Sequence, residues 1–185
     1  SISHNFLSDL GGYKSHSGLS NLISFLIFNF SMILFTLIGI SFLFIPKLFK
    51  EDSISFIISI IGSVFLFFGT IFFAGIGLTP HDLHLDAHIF FALNAFRLLI
   101  PGLILYFFVL MRSGVSKKYS LMIFCLLFFT FLYVIYQIVS DSPLTSIEQM
   151  VEQAIIQKVI TLINIVCMFF LSFAFSERLK DIKLS

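Results

Sequence analysis

Residues 54–78 read ISFIISIIGSVFLFFGTIFFAGIGL, a run without a single ionisable side chain. About 20 apolar residues in a helix cross the roughly 30 Å hydrocarbon core of a bilayer, so this run is long enough to span one. It also carries Ser59, Gly62, Ser63, Gly69, Ala74, Gly75 and Gly77. Small residues of this kind let helices approach closely in lipid. The stretch thus reads as a membrane span with a packing face.

Four further apolar runs lie around it, at residues 19–45, 87–111, 121–139 and 151–175. The connections are short and polar: PKLFKEDS, TPHDLHLD, RSGVSKKYS and SDSPLTSIEQM. Short connections make successive helices antiparallel neighbours. The fold class expected is therefore all-α, a polytopic transmembrane helix bundle with five spans forming one domain over residues 1–185. Composition agrees, since 58% of residues are hydrophobic and 11% charged, against roughly 25% charged in soluble domains. A net charge of +1 offers no concentrated basic face for nucleic acid. Cys125 and Cys167 both fall in apolar runs and read as free thiols rather than a disulfide framework.

The loop charges alternate. Lys47 and Lys50 occupy the first connection, Arg112, Lys117 and Lys118 the third, and Arg178, Lys180 and Lys183 the C-terminal tail, while the second and fourth connections hold no Lys or Arg. The positive-inside rule then puts these three basic segments and the C-terminus in the cytoplasm and the N-terminal segment outside, in the cell membrane. An N-terminus outside, in a chain that opens on Ser1 without a signal peptide, leads to the expectation of a sixth helix before Ser1.

Polar groups at membrane depth are costly, which makes them the first places to look for function. Thr79-Pro80-His81-Asp82 has the form of a helix start, with Thr79 as N-cap, Pro80 at the first position and Asp82 as a capping acid. A helix begun there sets His81, His84 and His88 along one face, with Asp86 beside them. Three imidazoles on one face are suited to a divalent metal such as zinc, whose open position would activate water for hydrolysis. The plainer alternative is that these histidines are simply well solvated at an interface. Farther along the same span lies Arg97, at about mid-depth by a rise of roughly 1.5 Å per residue. Its charge calls for a partner, and Pro101 should kink the helix beside it, opening a cavity. In the last span Gln149, Gln153 and Gln157 recur every four residues, with Glu148, Glu152 and Lys158 nearby. Thr145 and Glu148 have capping-box spacing. Asp9, Asp82, Asp86 and Asp141 are the candidates for balancing Arg97 and Lys158.

Several of these segments resemble a known family. Asn5-Phe6-Leu7-Ser8-Asp9-Leu10-Gly11, the following Phe28-Asn29, the Gly77-Leu78-Thr79-Pro80 turn leading to His88, and Gln157-Lys158 together resemble the prokaryotic multi-pass membrane proteins grouped as domain of unknown function 998. That family tends to place Arg where this chain has Lys158, which lacks the guanidinium fork. More distantly, the Ser8-Asp9 pair is similar to the Frag/DRAM/Sfk group, which is linked to lipid-anchor remodelling and autophagy. The resemblance implies a six-helix fold and supports a span before Ser1.

Taken together, Asp9, His81, His84, Asp86, His88, Arg97, Glu152 and Lys158 form the expected site, open to the outer leaflet and binding or processing a membrane lipid through its head group. Buried cations would suit an anionic phosphate. The alternative is a non-catalytic membrane subunit, with other membrane proteins as partners and these polar groups fixing helix packing. A transporter is less favoured, since no internal repeat is seen.

Overall fold

A computed structural model describes residues 5–15, 17–140 and 145–184. The sixth helix expected before Ser1, and Asp141, lie outside the described residues. Among the described residues five helices carry the chain: α1 (Leu22–Gly39), α2 (Ser53–Leu78), α3 (Leu85–Arg112), α4 (Lys117–Val139) and α5 (Ile147–Leu184). A 3-10 turn over Leu7–Gly11 precedes α1, and two more, Ile40–Leu43 and Ile45–Phe49, extend it. All five are long and apolar enough to cross a membrane, counting α1 with its extension. The protein is an all-α, multi-pass membrane protein.

Each boundary has a local cause. Pro46 lacks the N–H that would continue α1 and restricts the residue before it, so the chain tightens into 3-10 turns there. Asp52 caps α2 by accepting from Ile54 N at 3.2 Å and Ser55 Oγ at 2.6 Å. Arg112, at the far end of α3, donates to the same carboxylate at 2.9 and 3.1 Å. The Ser55 hydroxyl and then the Arg112 guanidinium pull the Asp52 carboxyl down to a pKa of about 2. Nearby, Arg178 donates to Leu48 O at 3.1 Å and Glu51 at 2.6 Å, and Glu177 accepts from Ser116 N at 3.0 Å. One end of the bundle, the basic end, is thus tied together by charge-assisted hydrogen bonds.

These ties also explain why α5 runs beyond the expected 175. Its polar last turns are anchored by Glu177 and Arg178, so the C-terminal basic segment is a helical extension. Hydropathy marks where lipid ends, not where hydrogen bonding ends. Similarly, α4 starts at Lys117 rather than 121. Cys125 and Cys167 are free and half-buried.

The closest helix pair is α2 with α3. Ser59, Gly62, Ser63, Gly69, Gly75 and Gly77 of α2 are buried as expected, and Ala74 is half-buried. A side chain at Gly75 would put its Cβ 2.4 Å from Phe91, and one at Gly102 of α3 would come within 2.7 Å of Leu66 and 3.2 Å of Gly62 O. Ser63 Oγ and Tyr106 Oη share a buried hydrogen bond of 2.6 Å across this seam. On its other side α2 meets α1, where Thr36 Oγ1 donates to Thr70 O at 2.6 Å.

Gly102→Val places a branched side chain against Leu66 and the Gly62 carbonyl. It is expected to destabilise the bundle by about 1–3 kcal/mol, read as a lower melting temperature of the detergent-solubilised protein. An unchanged melting curve would mean that the α2–α3 seam is looser than described.

Candidate functional site

Away from the basic end, the structure opens. α5 packs along α4 and touches the Leu7–Gly11 turn, but its backbone does not come close to that of α1 or α3. On the basic half the gap is filled by side chains, including a Tyr106–Phe175 ring contact at 5.7 Å. On the other half a cavity of about 460 Å³ remains, bounded by the N-terminal turn, α1, α2, α3, α4 and α5. Its apolar surface comes from residues such as Phe28, Met32, Phe73 and Phe96. A wider groove along the outside of α1, about 820 Å³, is an open surface feature with only Ser and Asn as polar groups.

The polar wall is built from three directions. From the N-terminal turn comes Asp9, whose Oδ2 accepts from Phe6 N at 2.8 Å and so holds the turn together. From the α2–α3 connection and α3 come His81 and His88, with ring centroids 6.0 Å apart. His81 Nε2 is 3.7 Å from Asp9 Oδ1, an ion pair when the imidazole is protonated. His88 Nδ1 is 2.7 Å from Thr79 O; because a carbonyl only accepts, Nδ1 carries the proton and Nε2 is left as the acceptor in the neutral ring. From α4 and α5 come Tyr136, Gln137, Gln153 and Gln157. Gln137 Oε1 is buried and has no hydrogen-bond partner among the described residues.

The N-terminal turn is pinned over this cavity by hydrogen bonds to distant elements. Leu7 N donates to Gln157 Oε1 at 2.8 Å. Tyr13 N and Lys14 N donate to Asp82 at 3.1 and 2.8 Å. Partial burial opposes ionisation of Asp82, but these two amides outweigh it, and its carboxyl lies below the usual range. Lys158 Nζ donates to Asn5 O, and to Ala154 O at 3.1 Å. Gly11 sits against Phe28 and Asn29, where a Cβ would come within 2.4 Å of the Phe28 ring.

Several expectations change here. Helix α3 begins at Leu85, not at Pro80. Thr79 closes α2 instead of opening α3, with its N–H and hydroxyl both donating to Gly75 O, at 3.0 and 2.7 Å. Pro80 O then accepts from Leu83 N and His84 N, making a turn. His81 and His84 therefore precede the helix, His84 is exposed, and the three imidazoles do not share a helix face. Among the described residues no group of three or more His, Cys, Asp or Glu side chains is arranged to hold a metal ion. Asp86 is exposed in the first turn of α3. Glu152 is exposed and accepts from Tyr136 Oη at 3.1 Å. Arg97 lies on the outer surface of α3, about 100° around the helix from Phe96. Pro101 sits within an unbroken helix. The cap of α5 is Ser146, whose Oγ accepts from Gln149 N at 3.1 Å, one residue beyond the expected Thr145.

Of the expected site, then, Asp9, His81 and His88 line the cavity, Glu152 and Lys158 border it through Tyr136 and Asn5, and His84, Asp86 and Arg97 lie elsewhere. Among the described residues no Lys or Arg lines it. The contribution of α4 was missed. Its signal was the spacing of Tyr133, Tyr136, Gln137 and Ser140, one polar face at the end of a span. The segments carrying the family resemblance, Ser8-Asp9, Phe28-Asn29, Thr79 to His88 and Gln157-Lys158, all meet at or beside this cavity.

The site is that of a multi-pass membrane protein with a polar-walled cavity in one half of the bundle. No family model, curated protein or solved structure matches the chain.

Asp82→Ala removes the acceptor of two backbone amides while leaving every helix intact. Hydrogen exchange is expected to quicken at Tyr13 and Lys14 by about tenfold, roughly the effect of losing a hydrogen bond to a charged group, with the amides in the middle of α2 unchanged. Exchange at the wild-type rate would show that Asp82 does not hold the turn.

Proposed function

We propose that the protein binds a membrane amphiphile in this cavity, with the acyl portion against the apolar surface and the head group against Asp9, His81, His88 and the Gln137–Gln153–Gln157 wall. The observation that carries this reading is the lining itself. A cavity of about 460 Å³ with an apolar body and convergent polar groups has the size and character of a small-ligand site. The backbone of α5 stays apart from those of α3 and α1, and on this reading an amphiphile enters between them from the bilayer.

The polar groups narrow the head-group class. They comprise a carboxylate, two imidazoles, amides, phenols and the hydroxyls of Ser8, Ser140 and Thr161, with no Lys or Arg among the described residues. Such a wall suits a head group that donates and accepts hydrogen bonds, hydroxyl or amine, better than an anionic phosphate. The buried Gln137 Oε1 needs a donor, which a hydroxyl provides. The segments that resemble the domain of unknown function 998 family surround the same cavity, and we take that likeness to concern this binding role. On the alternation of loop charge, the cavity belongs to the outer leaflet.

Two experiments test this reading. Ala92 lines the cavity, and Ala92→Phe is expected to fill part of it. In detergent, added diacylglycerol is expected to raise the melting temperature of the wild type but not of Ala92→Phe, and to do so more than phosphatidylglycerol with the same chains. Equal stabilisation of both proteins, or none by any lipid, would sink the proposal. For orientation, in a chain with Cys125 and Cys167 replaced by Ser, an impermeant maleimide applied to intact cells is expected to label His84→Cys and not Lys117→Cys. The reverse pattern would turn the protein over.

A further inference from the structure

Arg97 is left outside the cavity and outside every described polar network. It sits on the outer surface of α3, and no hydrogen bond, ion pair or ring contact joins it to a described residue. Its position is about 18 Å from the start of α3 at Leu85 and about 22 Å from its end at Arg112, at roughly 1.5 Å per residue. With a 30 Å core centred on α3, Arg97 lies roughly 13 Å below the nearer interface. Helical side chains lean toward the helix N-terminus, which draws the guanidinium toward that interface but leaves it within hydrocarbon. Around it the surface is apolar, with Phe90, Ile104 and Phe108 exposed on the same face. One turn away Asn94 spends its amide on Phe90 O at 2.8 Å. Pro101 has no N–H to offer the Arg97 carbonyl, so a charge and a backbone acceptor stand together on this face.

A charged group facing lipid at this depth is held by a partner in most membrane proteins. Among the described residues none is placed to give one. Their carboxylates lie in loops, in the tail of α5, or near helix starts. Glu152 is only about 8 Å into α5 at roughly 1.5 Å per residue and is bonded to Tyr136, and Asp86 is in the first turn of α3. A second copy, in either orientation, would bring Arg97 level with another Arg97 and no carboxylate. An anionic lipid keeps its phosphate at the interface.

We propose that the exposed face of α3 around Arg97 docks a transmembrane helix of a different protein, one that carries an Asp or Glu at mid-bilayer depth and pairs it with the guanidinium. The pairing is bidentate in the manner of Arg and carboxylate, and the apolar flanks supply the packing. Partner recognition then sits about a quarter turn around α3 from the amphiphile cavity and does not depend on that cavity being occupied.

The test uses the full chain, labelled with a fluorescence donor, in phosphatidylcholine vesicles at pH 8. The probes are synthetic Leu/Ala transmembrane helices bearing an acceptor and one central Glu, Gln or Leu. Energy transfer is expected to show the Glu helix binding at least tenfold more tightly than the Leu helix. That preference should disappear in Arg97→Gln and persist in part in Arg97→Lys. Equal binding of the Glu and Leu helices to the wild type overturns the proposal whether or not the variants fold. Three further outcomes also overturn it: a preference kept in Arg97→Gln, a preference abolished by one-third phosphatidylglycerol in the vesicles, or Arg97-dependent transfer between two labelled copies of the chain. The phosphatidylglycerol result would assign Arg97 to lipid head groups, and the last would assign the face to self-association.

Discussion

The close approach of α2 and α3 is the constraint on which the rest of the bundle depends. Lipid tails are as apolar as leucine, so burial of apolar surface does not drive helices together in a membrane; packing and interhelical hydrogen bonds do. Gly62, Gly69 and Gly75 on α2 and Gly102 on α3 bring the two backbones near enough for both to act, and Ser63 with Tyr106 adds the buried hydrogen bond. α1 joins the same core through small groups, since a Cβ at Gly39 would strike Thr70. On the other flank of α3 the contacts are between rings, Phe96 with Tyr133 at 4.8 Å and Phe107 with Phe124 at 5.9 Å. Large side chains hold α4 farther out, and α5, resting on α4, is held farther still. The cavity follows from this gradient: the bundle is tight where residues are small and open where long side chains face one another.

An opening of that kind exposes backbone, and backbone exposed at membrane depth must be satisfied internally. The N-terminal segment meets this demand with side chains rather than with regular structure. Asp9 accepts from Phe6 N, Gln157 from Leu7 N, Asp82 from Tyr13 N and Lys14 N, and the Asn5 carbonyl accepts a hydrogen bond from Lys158 Nζ. Each of these polar residues thereby has a structural task, and a ligand would meet the acceptor capacity they keep beside it, together with groups such as Gln137 Oε1 and the His88 Nε2.

How far the sequence revealed this can be argued residue by residue. The spans were legible because length and apolarity are one-dimensional properties, and the α2 packing face was legible because seven small residues in one span have few other uses in lipid. The start of α3 was misread because Thr79 and Pro80 serve a helix end as readily as a helix start; the Gly75 carbonyl, which takes both donors of Thr79, decided between them. The faces of Arg97 and Lys158 were not legible at all. A helix that is apolar all round gives no periodicity from which to tell lipid from interior, so depth could be counted along α3 but direction could not. The contribution of α4 was hidden for a related reason, since Tyr near a span end is equally at home at a membrane interface.

That lost direction changes the chemistry. Read along the chain, two cations and several carboxylates occupy one half of the bundle and add up to a phosphate site. In three dimensions Arg97 is one residue from Phe96 but about 100° away from it, and Lys158 follows the cavity-lining Gln157 while its ammonium is taken by the carbonyls of Asn5 and Ala154. What remains facing the cavity is Asp9, with the His81 imidazole 3.7 Å away. A phosphate entering there would meet a carboxylate without a guanidinium or ammonium to offset the repulsion, in surroundings where charges are weakly screened. A hydroxyl or amine head group would instead find acceptors in Asp9, Gln137 and the His88 ring. On the proposed reading, the same side chains that made an anion site attractive in one dimension favour a neutral or cationic head group once folded.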